Sequence, residues 1–70
     1  MDPAARLAAN IRRHRLKAGL TQEALQQATG VHMTEISRLE RGVRDPRLTT
    51  IVRVARGLGV SAAELVKGVR

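Results

Sequence analysis

Seventy residues with no cysteine, no aromatic side chain and a formal net charge of +7 make a short, strongly basic chain with a pI near 11.8. That length allows one domain over 1–70 and no second, ligand-sensing domain, and the missing cysteines exclude a disulfide, a thiolate zinc site and a thiol nucleophile. The surplus of cations points to a polyanion, most commonly nucleic acid, and without Phe, Trp or Tyr to stack on bases, duplex DNA is favoured over RNA.

Asp2-Pro3 opens the first predicted helix, since Asp caps well and Pro is tolerated at the first helical position. The helix is expected to run to about Ala18. Its 3.6-residue period places Leu7, Ile11, His14 and Ala18 on the inner face, with Arg6, Asn10, Arg13 and Lys17 along a flank. That flank either lies along a phosphate backbone or is a solvated charged stripe. His14 is assigned no chemistry, and Leu16 is expected to be exposed.

Thr21 is the next start signal, its hydroxyl placed to accept an unpaired first-turn N–H. Leu20 and Leu25 flank it as a hydrophobic staple. A helix over roughly Gln22 to Thr29 turns Leu25 and Ala28 inward, and Gly30 supplies the left-handed residue that ends it. The same signal then repeats. Val31 and Ile36 form a second staple around His32, a weaker cap, with Glu35 at the capping-box position. On this third helix Ile36, Leu39 and Glu40 point one way, while Thr34, Ser37, Arg38 and Arg41 point the other. The outer face is small, polar and cationic. It suits the floor of the DNA major groove, where a helix presents donors to purine edges, although any surface helix has a polar outer face.

After Gly42, the loop VRDPR carries Arg44 and Arg47, which either grip phosphates or lie on a solvated turn punctuated by Asp45-Pro46. A fourth helix from about Leu48 to Leu58 turns Leu48, Ile51, Val54, Ala55 and Leu58 to one side, and Gly57 and Gly59 end it. Val60-Ser61-x-x-Glu64-Leu65 then gives a staple and full capping box for a fifth helix. No apolar run is long enough to span a bilayer and Met1-Asp2-Pro3 begins no signal peptide, so a cytoplasmic location is expected. The pattern is that of an all-α, compact five-helix bundle whose core is marginal, a shortfall that dimerisation remedies.

The stretch TQEALQQATGV…ISRLERG, preceded by RHRLKAGL and followed by P…LTTIVRVARGLGVSAAEL, resembles the helix-turn-helix domain of phage repressor, Cro and related bacterial regulators, the XRE-type family. The likeness covers about Asn10 to Leu65. Gly19-Leu20-Thr21-Gln22, Gly30, Ile36, Leu39-Glu40, Gly42 and Leu58-Gly59-Val60-Ser61 all fall at the family's intervals. It implies a lambda-repressor-like DNA-binding domain with its helix-turn-helix core at 21–40, acting as a homodimer, with no cofactor, no metal and no small-molecule ligand.

Carried over residue by residue, the resemblance has Gln22 contact a phosphate, while His32 or Met33, Thr34, Ser37 and Arg38 reach base edges. Arg41 and Arg44 clamp the backbone; Arg47 on the same loop, and Arg13 and Lys17 on the basic flank, are backbone candidates from their position alone. Met33 has no hydrogen bond to give and can only pack on a thymine methyl or sugar. Arg15 and Glu40 stand where the family forms an internal ion pair. The family's two-fold contact commonly involves helices 4 and 5, which makes Val52, Val60, Val66 and Val69 dimer candidates. Eleven of the thirteen basic residues are Arg, which suits bidentate contacts or reflects coding bias.

No Gly-rich phosphate loop, Ser/His/Asp constellation or HExxH is present, and two histidines at 14 and 32 make no metal site without further ligands. An enzyme is not expected. The family's roles include phage-type repressor, controller of a restriction-modification operon, and antitoxin, the last predicting a toxin as protein partner. A non-specific DNA-coating protein is a further alternative, marked by a steep salt dependence with little discrimination.

Overall fold

The structure, a computed structural model, describes residues 2–70. Asp2 opens α1 (Pro3–Lys17) by accepting the Ala5 N–H on its carboxylate at 3.0 Å. Thr21 does the same for α2 (Gln22–Thr29) with the Ala24 N–H at 3.0 Å, and Gly30 closes that helix at φ +75°. Then come α3 (Met33–Glu40), α4 (Leu48–Leu58) and α5 (Ala62–Leu65), with no strand among the described residues. The expected all-α bundle of five helices is what forms.

The helices meet over an aliphatic core centred on Ile11, Leu25, Ile36, Val54 and Leu65, all but completely buried. Each such side chain contributes about 1.5–3 kcal/mol by leaving water. The main packing interfaces are α1 on α3, α2 on α4, α2 on α3 and α4 on α5. The helix-turn-helix is thus held on one side by α1 and on the other by α4.

Several expectations are corrected. Asn10 does not lie on the solvent flank of α1 but is buried, because the C-terminal segment crosses α1 there: its Nδ2 donates to the Leu65 and Lys67 carbonyls, each at 2.8 Å. Ala18 is the exposed C-cap of α1 rather than an inner residue, and Ala28 is exposed. Leu48 is 72% exposed, since it is the first residue of α4 and lies outside the reach of the core. Neither capping box closes. Glu35 turns its carboxylate to Arg44 at 3.2 Å, and Glu64 lies 3.7 Å from His14 Nε2.

Gly57 does not end α4, which runs on to Leu58 before Gly59 takes φ +72°. It is instead where α4 approaches α2, and a Cβ there collides with Thr29 Cγ2. Thr29 cannot swing aside freely, because its hydroxyl donates to the Leu25 carbonyl at 2.7 Å and accepts the Val31 N–H at 3.0 Å. Gly57→Ala gains up to about 1 kcal/mol of helix propensity against an overpacking cost of about 1–3 kcal/mol. The expected result is a net loss of about 1 kcal/mol by urea denaturation; a variant more stable than the parent contradicts this packing argument.

Candidate nucleic-acid interface

The outer face of α3 is useful only if the helix is fixed from behind and at its start. Ile36 and Leu39 fix it from behind, both buried. At its start the backbone N–H groups of the first turn lack the ordinary i→i−4 partner, and those of Met33, Thr34 and Glu35 find another. The Met33 N–H donates to Gln26 Oε1 at 2.8 Å and the Thr34 N–H to His32 Nδ1 at 3.0 Å. That of Glu35 donates to the His32 carbonyl at 2.9 Å, and the same carbonyl accepts the Ile36 N–H at 3.0 Å as the first bond of the helical ladder.

At its other end Glu40 binds Arg15 through two parallel bonds, Nε to Oε2 at 2.6 Å and Nη2 to Oε1 at 2.8 Å. Both side chains are nearly buried, 10% and 4% exposed, so this pair is not the weak surface kind. Arg15 Nη1 also donates to the Leu20 carbonyl at 2.9 Å, and Gln22 Nε2 to Glu40 Oε1 at 3.3 Å. The hydrogen bond to Glu40 outweighs burial and raises the Arg15 guanidinium above its already high ordinary pKa. On the Arg15 side that stabilisation is present across the neutral range and is lost as pH rises into strong alkali. One carboxylate gathers the end of α1, the start of α2 and the end of α3.

On this frame His32, Met33 and Thr34 are exposed at the start of α3, with Ser37 and Arg38 half-buried further along. Glu40 draws Gln22 to the end of α3, and Glu35 draws Arg44 back toward its start. Arg41 and Arg47 are exposed as the residues that flank the α3–α4 loop. Arg13 and Lys17 are exposed on α1, and Arg13 borders a shallow hollow with Arg6 and Lys67 at the C-terminal segment.

The four valines named as dimer candidates separate. Val60 and Val69 pack against the core, Val52 is half-buried, and Val66 is 38% exposed. Val43, at 62%, was not expected among the exposed apolar residues. It and Val66 edge an open hollow of about 540 Å³ that also touches Leu7, Pro46, Ile51 and Val69. Sequence reasoning also missed Gln26, whose partner lies seven residues away across a turn. Among the described residues no helix is long and apolar enough to cross a membrane, and no three His, Asp or Glu gather as a metal site.

Residues 11–65 match the family model described as helix-turn-helix. The chain belongs to the helix-turn-helix family. Over 66 residues it is 41% identical to an uncharacterized HTH-type transcriptional regulator, y4dJ, of Sinorhizobium fredii, covering 94% of this chain and 86% of that one. Over 66 residues it is 36% identical to control protein C.SmaI of Serratia marcescens, covering 94% and 79%. Its helix-turn-helix fold is also similar to the solved restriction-modification controller protein C.Esp1396I, a tetramer in complex with its natural 35 base-pair operator. There the TM-score is 0.85 at 28% identity, over 93% of this chain and 86% of that one.

Proposed function

We propose that this helix-turn-helix protein is a transcriptional regulator that binds duplex DNA sequence-specifically as a homodimer, with α3 in the major groove of each half-site. The observation that carries this is the outer face of α3: exposed Thr34 and half-buried Ser37 and Arg38 lie on a helix locked from behind by Ile36, Leu39 and the Arg15–Glu40 pair. Its likeness to an operator-bound controller and to a control protein supports a controller or repressor role within that class. The same relatives give the antitoxin reading no support.

In this reading His32, Met33, Thr34, Ser37 and Arg38 face bases, and Gln22, Arg41, Arg44 and Arg47 hold phosphates. Arg44 exchanges its exposed bond with Glu35 for a phosphate, a small cost because such a pair is weak in water. Arg13 and Lys17 add long-range attraction for the polyanion. The protein acts by binding, without catalysis or a cofactor, in the cytoplasm. Two recognition helices of a dimer sit roughly 34 Å apart, one turn of DNA. Val66 and Val52 are the apolar positions among the four candidates that packing within the protomer leaves more available than Val60 and Val69.

Selection of bound sites from a random duplex library at physiological salt tests the reading. A two-fold symmetric motif is expected, with half-sites one helical turn apart; uniform recovery of all sequences with a steep salt dependence makes the protein a non-specific coat instead. Arg38→Ala is expected to cost about 1–3 kcal/mol at one base position, measured by competition against single-base variants of the selected site. An equal loss on every sequence makes Arg38 a phosphate contact.

A further inference from the structure

The start of α3 is fixed by a residue that belongs to the preceding helix. Gln26 lies half-buried on α2, and its Oε1 accepts the Met33 N–H at 2.8 Å. A backbone N–H can meet only the oxygen end of the amide, so the orientation of the side chain follows from chemistry. No other hydrogen bond joins α2 directly to the first turn of α3 among the described residues: the Thr34 N–H goes to His32, and Thr29 holds only Val31 in the turn.

The inner side and the outer start of α3 are therefore fixed by different means. The inner side is fixed by packing, through Ile36 and Leu39, and the far end by Glu40. Val31 before the helix and Ile36 at the end of its first turn are buried, but His32, Met33 and Thr34 between them are exposed, and the backbone there is placed by polar bonds. Met33 is 44% exposed and has no apolar anchor that would do the same.

We infer that Gln26 is a positioning residue for base readout: by holding the Met33 N–H it sets where the recognition helix begins, and so where Met33 and Thr34 meet the DNA. This rests on the DNA-binding reading above and assigns to Gln26 a part of its specificity. Arg38, one turn further on and anchored by its packed neighbours, keeps its place whether or not Gln26 is present. Loss of the Gln26 bond thus changes discrimination at the base pairs under the first turn and leaves that under Arg38 alone.

Gln26→Ala removes the acceptor, whereas Gln26→Glu keeps it and suits the helix N-terminus electrostatically. The first measurement is NMR hydrogen exchange at the Met33 amide in the full chain without DNA. Exchange is expected to quicken roughly three- to tenfold in Gln26→Ala and to stay near the parent rate in Gln26→Glu, the range for one hydrogen bond. The second is base preference over single-base variants of the selected duplex.

Gln26→Ala is expected to lose most of its preference at one or two base pairs and none at the pair read by Arg38. Gln26→Glu is expected to keep the parental pattern while binding all sequences more weakly, because its charge repels phosphate. An unchanged Met33 exchange rate in Gln26→Ala overturns the bond. Faster exchange with an intact base pattern, or an even loss at every position, overturns the role in readout. A parent protein with no base preference overturns the regulator reading itself, an outcome seen before any variant is compared.

Discussion

Glu40→Ala is expected to lower the unfolding free energy by about 3–5 kcal/mol, the cost of stranding a nearly buried guanidinium. A core in a chain this short rarely supplies more than about 3–5 kcal/mol in total, so the variant is expected to be largely unfolded at 25 °C. The size of the effect comes from how much converges on one carboxylate: two bonds from Arg15 and one from Gln22. Urea denaturation followed by far-UV circular dichroism reads it directly. The double replacement Arg15→Met with Glu40→Met is expected to recover much of the loss, because apolar side chains of similar volume remove both charges together. A single variant that unfolds at the parental urea concentration shows that the pair contributes nothing.

Asn10→Ala is expected to cost about 2–4 kcal/mol, since it leaves the Leu65 and Lys67 carbonyls without donors, one buried and one partly so. Asn10→Asp is expected to be at least as damaging, because a carboxylate facing two carbonyls offers acceptors where donors are needed. Beyond the global loss, the segment after Leu65 is expected to loosen first. Faster exchange at the Val69 amide, which donates to the Val66 carbonyl, is the local signature. If Asn10→Ala melts like the parent with Val69 unchanged, the C-terminal segment is held by Leu65 packing alone.

These residues also show what a one-dimensional reading reaches. Helix starts were legible because caps are local: Asp2, Thr21 and Ser61 each accept an N–H three residues ahead. The inner face of α3 was legible because Ile36 and Leu39 sit at helical spacing beside a core on one side only. Asn10 was misplaced for the converse reason. Periodicity gives a face but not which distant segment covers it, and the residues covering this flank are more than fifty positions away.

Leu48 followed the period and still failed, because a first-turn residue projects beyond the end of the bundle. In the candidate interface, the exposure of Thr34 and Arg41 was readable from spacing, and Arg15–Glu40 from resemblance. The Gln26 bond was not readable, since it depends on the angle at which α2 and α3 cross over Gly30. Glu35 was read as a cap and is instead the tether of Arg44, a choice settled by how the α3–α4 loop folds back.

Every helix here but one begins with a side chain that accepts a first-turn N–H, and the exception is α4, where Arg47 stands at the cap and makes no such bond. Asn, Asp, Ser or Thr at that position would serve folding better, while a positive charge there serves attraction to a phosphate backbone. The two demands fall on one side chain, and the residue present satisfies the second. On the proposed DNA-binding reading, position 47 is thus where selection for thermal robustness and selection for operator affinity pull in opposite directions, and where the first is expected to weaken the second.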